Sequence, residues 1–226
     1  VTGPAGGRVK YPRTPHLPWS PGRDADDVGI RTLAAVESAE VVVTEKLDGE
    51  CTTIGPGGWS HARSLDSGPH PSRTYVRSVA GRIGHLLPPT MRVCGENVYA
   101  VHSVEYTGLA DHFQVFNIWD GDRCLSWDET VEWAHLLDLV VVPVLHRGPW
   151  PGPDALTSTW RAATSGRVSE GYVVRTAAGF DAAAFTAHVA KYVRPAHVQT
   201  DEHWLDQEMR VNGLRAPATS AEAPGL

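Results

Sequence analysis

Short β-branched runs, broken by Gly, Pro and Asp, set the rhythm of the chain. "VVVTEK" (Val41 to Lys46) and "CTTI" (Cys51 to Ile54) read as two strands around "LDGE", and the Asp-Gly pair is a common hairpin turn. "GPGGW" is a turn, and "SHARSLDSG" reads as a strand end and loop. Val76, Val79, Ile83 and Leu86 recur at helical spacing until Pro88 and Pro89 stop the run. "RVCGENVYA" and "FQVFNIWD" are strand-like. Ser126, with Glu129 three residues on, predicts a capping-box start for the helix in "SWDETVEWAHLLDL". "VVVPVL", "EGYVVRTA" and "HVAKYVR" predict further strands. "LTSTWRAATS" and Val28 to Ala39 predict short helices, and "TDEHWLDQEMRV" a C-terminal helix capped by Thr200 or Asp201. Strands between helices of unequal length, without a regular βαβ rhythm, predict an α+β fold with mostly antiparallel sheets.

The ends differ in composition. Residues 1–27 are rich in Pro, Gly and Arg, and "YPRTPHLPWSPG" is expected to lie extended over the surface, with Leu17 and Trp19 packed down. The first eight or so residues read as a leader, 28–212 as the main domain, and 213–226 as a disordered tail. At 226 residues the chain is long enough for a sizeable core without a disulfide or metal staple.

Charge and cysteine usage narrow the classes. A net charge of −6 argues against a broad nucleic-acid-binding coat, though it leaves room for a local basic groove, for which Arg13, Arg73, Arg77 and Arg82 are candidates. Three cysteines without a CxxC pair argue against a zinc ribbon or disulfide framework and for a reducing, cytoplasmic setting. No apolar run reaches membrane-spanning length, so no membrane partner is expected. Neither GxGxxG nor GxxxxGK[ST] occurs, which disfavours Rossmann and P-loop nucleotide sites. The histidines fall at no HExxH-type spacing; His61 and His102 lie near enough to other motifs to line a phosphate groove.

Lys46 is the first candidate for chemistry. It closes a β-branched strand, which predicts a rigid, partly buried backbone; burial lowers a lysine's pKa and favours the nucleophilic amine. Gly49 is expected to permit the turn that follows. "KLDG" alone reads more readily as a strand-ending surface lysine beside a turn.

The ordered set "EKLDGE", "HARSLD", "CGEN", "FQVFNIWD", "EGYVVR" and "AKYVR" resembles the covalent nucleotidyltransferases: ATP-dependent RNA and DNA ligases and mRNA capping enzymes. Among these, the wording from Lys10 to Leu205 is most similar to RNA ligases of the bacterial type. The resemblance implies two antiparallel sheets flanking an ATP cleft. It also implies that Lys46 attacks the α-phosphorus of ATP and carries AMP as a phosphoramidate. In it, Asp48 touches the ribose or orients the site, Glu45 lies against the adenine edge, and Arg63 reaches ribose or phosphate. Phe116 stacks on the purine, with Phe113 as the other candidate, and Val173 lines the opposite purine face. Glu170 and Glu96 are the implied carboxylates for Mg²⁺ or Mn²⁺, Glu96 alternatively holding the ribose hydroxyl. Lys191 contacts the α-phosphate as the second catalytic cation.

Two positions depart from that pattern. The family often has two lysines one residue apart where this chain has only Lys191, leaving Arg194 as the alternative second cation. Cys51 stands where an asparagine is expected. Only 35 residues follow Lys191, fewer than an OB domain needs. The expected function is ATP-dependent RNA joining, with AMP passed to a 5′-phosphate before attack by a 3′-hydroxyl. Alternatives are adenylylation of a small molecule or protein, and a non-catalytic nucleotide-binding module; GTP is the alternative nucleotide.

Overall fold

The computed structural model describes residues 7–195 and 208–216. In chain order its main elements are α1 (Ala34–Glu37), β1 (Glu40–Lys46), β2 (Glu50–Ile54), β3 (Ser60–Ala62), α2 (Thr74–Ile83), β4 (Met91–Asn97) and β5 (Phe113–Asp120). They continue with β6 (Arg123–Cys124), α3 (Trp127–Leu136), β7 (Val140–Val141), β8 (Val144–Pro149) and α4 (Pro153–Ala163). β9 (Gly171–Thr176), β10 (Phe180–Asp181), α5 (Phe185–His188) and β11 (Val189–Val193) follow. One sheet has four strands in the order β11-β9-β1-β8. The other has seven: β10-β6-β5-β4-β2-β3 in order, with β7 paired to β5. Except for β5 with β7, these strand pairs are antiparallel, so the α+β expectation holds.

The strand–turn–strand around "LDGE" is present, but it is not a hairpin. β1 belongs to the four-stranded sheet and β2 to the seven-stranded one, so the turn carries the chain across the cleft between them. Gly49 is required for close approach rather than for a left-handed backbone. A Cβ there would lie 2.6 Å from the Asn97 carbonyl oxygen, and Gly49 is not among the positive-φ residues. "VVVPVL" likewise splits at Pro143 into β7 in one sheet and β8 in the other. A ring without an N–H suits that crossing because it interrupts a ladder.

Each sheet buries its outer face under helices. Val76, Val79, Ala80 and Ile83 of α2, and Ala134 of α3, pack with Ile54, Val93, Phe113, Val115 and Ile118. Burying each of these Val, Ile and Phe side chains stabilises the fold by roughly 1.5–3 kcal/mol. The expected capping box starts α3: the Ser126 Oγ accepts from the Glu129 N–H, and the Glu129 carboxylate accepts from the Ser126 N–H at 2.8 Å. On the other sheet Val41, Val43, Tyr172, Val174 and Ala190 pack with Leu156 and Trp160 of α4. α4 starts at Pro153, longer than expected, whereas the helix expected over 28–39 is confined to Ala34–Glu37.

The N-terminal segment runs beside β11 as an added, parallel-bridged strand. Lys191 N–H donates to the Pro15 carbonyl and Leu17 N–H to the Lys191 carbonyl, each at 2.8 Å. This covers an edge that would otherwise present unpaired backbone groups. Most of the expected C-terminal helix lies outside the described residues; residues 208–211 are not helical. Gly213 and Arg215, placed by sequence in a tail, donate backbone hydrogen bonds to the Tyr106 and Leu109 carbonyls. Among the described residues no helix is long and apolar enough to cross a membrane.

Candidate active site

Register builds the site. In the four-stranded sheet Lys46 stands opposite Gly171, and Thr44, Val173 and Lys191 form one row; Val42, Arg175 and Val189 form the next. Residues in register across antiparallel strands share a face. Lys46, Val173, Arg175 and Lys191 accordingly line a cleft of about 840 Å³, a size suited to a nucleotide-sized ligand. From the facing sheet come Cys51, Glu96, Phe116 and Asn117, and from the loop after β3 comes Arg63.

Lys46 Nζ lies 2.5 Å from Glu170 Oε2. Glu170 reaches it because the next residue, Gly171, pairs with Lys46. A Cβ at Gly171 would meet the Tyr192 carbonyl oxygen at 1.9 Å, so only glycine lets β9 and β11 close at this point. Burial drives the Lys46 pKa down, but the carboxylates of Glu170, Glu96 and Asp48 together outweigh it and leave it above the usual lysine value. The expected lowering by burial is therefore reversed: in this arrangement Lys46 is an ammonium ion, not the free amine.

Glu96 shows the opposite imbalance. Burial, with Glu170 and Asp48 nearby, pushes its pKa up to about 8, against the pull of Lys46 and a backbone hydrogen bond from Gly49. Lys191 is shifted down, by burial first and then by Lys46 and Arg63, with Asp27 and Glu170 opposing.

Two buried carboxylates, Asp48 and Glu170, and the half-buried Glu96 surround one lysine. Among the described residues no group of three or more His, Cys, Asp or Glu is arranged to hold a metal ion. Glu96 lines the cleft and Glu170 meets the cleft-lining Lys46, and two such carboxylates nevertheless fit a hard divalent cation that completes its shell with water and phosphate. Glu96 and Glu170 are the residues that would hold it.

Two residues expected to touch the nucleotide, Glu45 and Asp48, have protein partners for their carboxylates, although Glu45 is among the residues lining the cleft. The Glu45 carboxylate projects to the outer face of its sheet, where Arg167 donates to both oxygens at 2.5 and 2.6 Å and Ser169 Oγ donates at 2.9 Å. Asp48 Oδ2 accepts from the Ser103 and Val104 N–H groups at 2.8 and 2.7 Å, and the Asp48 N–H donates to Tyr106 Oη at 2.8 Å. It thereby fixes the turn after the lysine.

Phe116 rather than Phe113 faces the cleft. The β4–β5 register shifts between Cys94 and Gly95, pairing Cys94 with Asn117 and Gly95 with Val115. Phe116 is left as the bulged residue, and bulges re-aim side chains beside sites. Phe116 and Asn117 therefore both line the cleft, while Phe113 is fully buried in the core under α2.

Of the four arginines proposed for a basic groove, Arg13 and Arg73 border the cleft, and Arg73 is held there by the Glu50 carboxylate. Arg82 instead donates to the Leu137 carbonyl at 3.1 Å, and Arg77 is exposed on α2 away from the cleft lining. His102 lines the cleft, but His61 is buried, stacked on Trp59 with ring centroids 5.5 Å apart. Cys51 sits opposite Glu96; burial first, then that carboxylate, pushes its thiol pKa well up, so it remains protonated near neutral pH. Arg194 is not among the described cleft-lining residues.

Sequence reading missed several participants. Arg175 lines the cleft although it is buried, and it donates to Asn117 Oδ1, the Leu125 carbonyl and the Thr176 carbonyl. Period-two alternation from Val173 was the signal that marks it. Tyr11 and Asp27 come from the N-terminal segment, and nothing local announces them. Tyr11 sets its ring edge-on to Phe116, centroids 5.2 Å apart, and its hydroxyl accepts from Asn117 at 2.5 Å.

The fold has solved counterparts. An archaeal ATP-dependent RNA ligase matches with a TM-score of 0.51 and 18% identity, covering 73% of this chain and 45% of its own. A mutant RNA ligase from Naegleria gruberi in its apo form matches with a TM-score of 0.50 and 14% identity, covering 73% and 52%. The chain thus spans about half the length of these proteins, and at such identity the likeness shows the fold alone. No curated protein matches the chain. The RNA ligase family model matches residues 39–193, from the start of the four-stranded sheet to the end of β11 and over every motif described above. With more than half of its length in that match, the chain belongs to the RNA ligase family.

Proposed function

We propose that this protein is an ATP-dependent RNA ligase working through a covalent lysyl-AMP. The observation that carries this reading is the Lys46–Glu170 pair at 2.5 Å in a cleft shared with Lys191 and Arg63. A nucleophilic lysine, an acceptor for its proton and two cations for phosphate oxygens are the parts that nucleotidyl transfer to an amine requires.

Lys46 Nζ gives up a proton, with Glu170 Oε2 the acceptor within reach, and attacks the α-phosphorus of ATP. The N–P bond forms as the bond to pyrophosphate breaks. Lys191 and Arg63 offset charge on the phosphate oxygens, while Phe116 and Val173 border the purine. Glu96 and Glu170 would hold a divalent cation, Mg²⁺ or Mn²⁺, which would supply positive charge at the phosphates. AMP then passes to an RNA 5′-phosphate, and a 3′-hydroxyl attacks that adenylate and releases AMP. Cysteines without a disulfide suit a cytoplasmic setting.

A second reading keeps the lysyl-AMP and changes the acceptor to a small molecule or protein. The observation favouring it is acidic: Asp24, Asp26 and Asp27 line the same cleft, and the chain carries −6 overall, an unfavourable surface for a polyanion.

Incubation with α-labelled ATP or GTP and Mg²⁺ or Mn²⁺ tests both. Acid-labile label on Lys46 is expected with ATP, and its absence with either nucleotide overturns the enzyme reading. Discharge of the label by 5′-phosphorylated RNA supports ligation. If no RNA or nicked duplex discharges it, the small-molecule reading takes its place.

A further inference from the structure

The N-terminal segment lies outside the matched family region of residues 39–193, yet it supplies a carboxylate to the cleft beside Lys191. Asp27 Oδ1 lies 3.7 Å from Lys191 Nζ, and the two side chains are 30% and 21% exposed. The other Asp27 oxygen, Oδ2, accepts from the Asp24 N–H at 3.2 Å and lies 3.0 Å from His16 Nε2. His16 is 1% exposed, and its Nδ1 is 2.8 Å from Ser20 Oγ, which accepts from the Val193 N–H at 2.9 Å. The series runs from the backbone of β11 through Ser20, His16 and Asp27 and returns to β11 at the Lys191 side chain.

The backbone holds this carboxylate in place. His16 is bridged on one side to Lys191 and on the other to Gly29. Its N–H donates to the Val28 carbonyl at 2.7 Å, and the Ile30 N–H donates to its carbonyl at 2.9 Å. Asp27 therefore sits in a loop whose return is pinned to the strand that carries Lys191. A loose, part-exposed pair at 3.7 Å contributes little to stability. Its value is in aiming a lysine that has four rotatable side-chain bonds.

We propose that Asp27 is a positioning residue for Lys191, holding its ammonium group toward the cleft; this rests on the lysyl-AMP reading. The charged groups facing Lys191 are Asp27 from the N-terminal segment, Lys46 from β1, Glu170 ahead of β9 and Arg63 after β3. Those facing Asp27 are Lys191 and His16, and Arg23 lies near His16. Lys46 and Arg63 both repel the Lys191 charge. Asp27 and Glu170 oppose them, and of the two Asp27 lies outside the matched region and attracts Lys191 without contacting Lys46.

Single-turnover formation of lysyl-AMP by the full chain tests the proposal, with Asp27→Asn, Asp27→Ala and Asp27→Glu compared at equal thermal stability. Asp27→Asn is expected to slow the step at saturating ATP by about 10- to 100-fold, the cost of a misplaced group. The ATP concentration for half-maximal rate should change by less than about threefold, and Asp27→Glu should restore part of the rate. A rate for Asp27→Asn within about twofold of the wild type, or above it, overturns the proposal. So does a loss common to all three variants that tracks their melting temperatures. Competitive acylation of Lys191, read by mass spectrometry near pH 8, needs no catalysis: removal of Asp27 is expected to make the amine several-fold more reactive. Unchanged reactivity overturns the proposal even if the wild type takes no label, whereas an unlabelled wild type with altered Lys191 reactivity overturns only the ligase reading.

Discussion

Lys46 Nζ and Glu170 Oε2 are 2.5 Å apart, so that the proposed nucleophile and the acceptor proposed for its proton share one hydrogen bond. The cost of that closeness is a lysine pKa held above its ordinary value by Glu170, Glu96 and Asp48 against the effect of burial. Attack requires the neutral amine, whose fraction rises up to about tenfold per pH unit below the pKa. Lysyl-AMP formation is therefore expected to accelerate from pH 6.5 to 9. Glu96, with a pKa of about 8, becomes anionic over the same range; this favours cation binding but strengthens the hold on the Lys46 proton, so the rise should be shallower than about tenfold per unit. A single-turnover pH profile checks this, and a flat profile contradicts it. Glu170→Gln is expected to lose at least about 100-fold, the usual contribution of a positioned proton acceptor.

Glu45 is 2% exposed and its carboxylate is bound by Arg167 and Ser169. Arg167→Ala strands that buried charge and is expected to destabilise the protein by about 2–3 kcal/mol, less than for a fully buried pair because Arg167 is part-exposed. Adding Glu45→Gln should recover part of the loss. Denaturant melts of the single and double variants measure both, and a loss below about 0.5 kcal/mol would show that water and Ser169 suffice.

Asn212 fastens the C-terminal segment to the loop that anchors Asp48. Its Nδ2 donates to the Val98 and Ala100 carbonyls at 2.9 and 3.1 Å, and its Oδ1 accepts from the Tyr106 N–H at 2.7 Å. Asn212→Ala leaves three buried backbone groups unpaired and is expected to cost about 3 kcal/mol. Faster amide exchange should appear at Ser103, Val104 and Tyr106. Exchange confined to residues 208–216 would show that the segment is fastened independently of the nucleophile turn.

Four histidines, His16, His61, His112 and His188, have pKa values lowered chiefly by burial. Each is neutral in the folded state and takes up a proton more readily when unfolded. Their contribution is full above the unfolded value of about 6.5 and is lost as pH falls through the folded values. The melting temperature is expected to drop from pH 7.5 to 5.5. His61→Gln should shallow that slope if the protein folds normally at pH 7.5; an unchanged slope removes His61 as a contributor.

Much of the site was legible because motif residues lie on strands whose period is two. Lys46, Val173 and Lys191 share one face for that reason, and alternation alone places Arg175 with them. The capping box of α3 and the helical stripe of α2 are local patterns and read directly. Other features depended on partners distant in sequence. Whether Lys46 is neutral or charged turns on Glu170 and Glu96, which lie 124 and 50 positions away. Phe116 faces the cleft because of a bulge set by β4, a mismatch between two strands that neither shows alone.

"VVVTEKLDGECTTI" illustrates the division. Its residue types determined strand, turn and strand, because β-branched side chains favour extended backbone and Gly49 leaves room for a neighbouring chain. Tertiary structure decided that the two strands enter different sheets, so that the turn bridges a cleft instead of closing a hairpin. It also decided that Glu45 and Asp48 serve Arg167 and a backbone loop, and that a carboxylate from the N-terminal segment stands beside Lys191. The physical reason is that strand propensity is a property of a few neighbouring residues, whereas burial, charge balance and pairing partner exist only once distant segments meet.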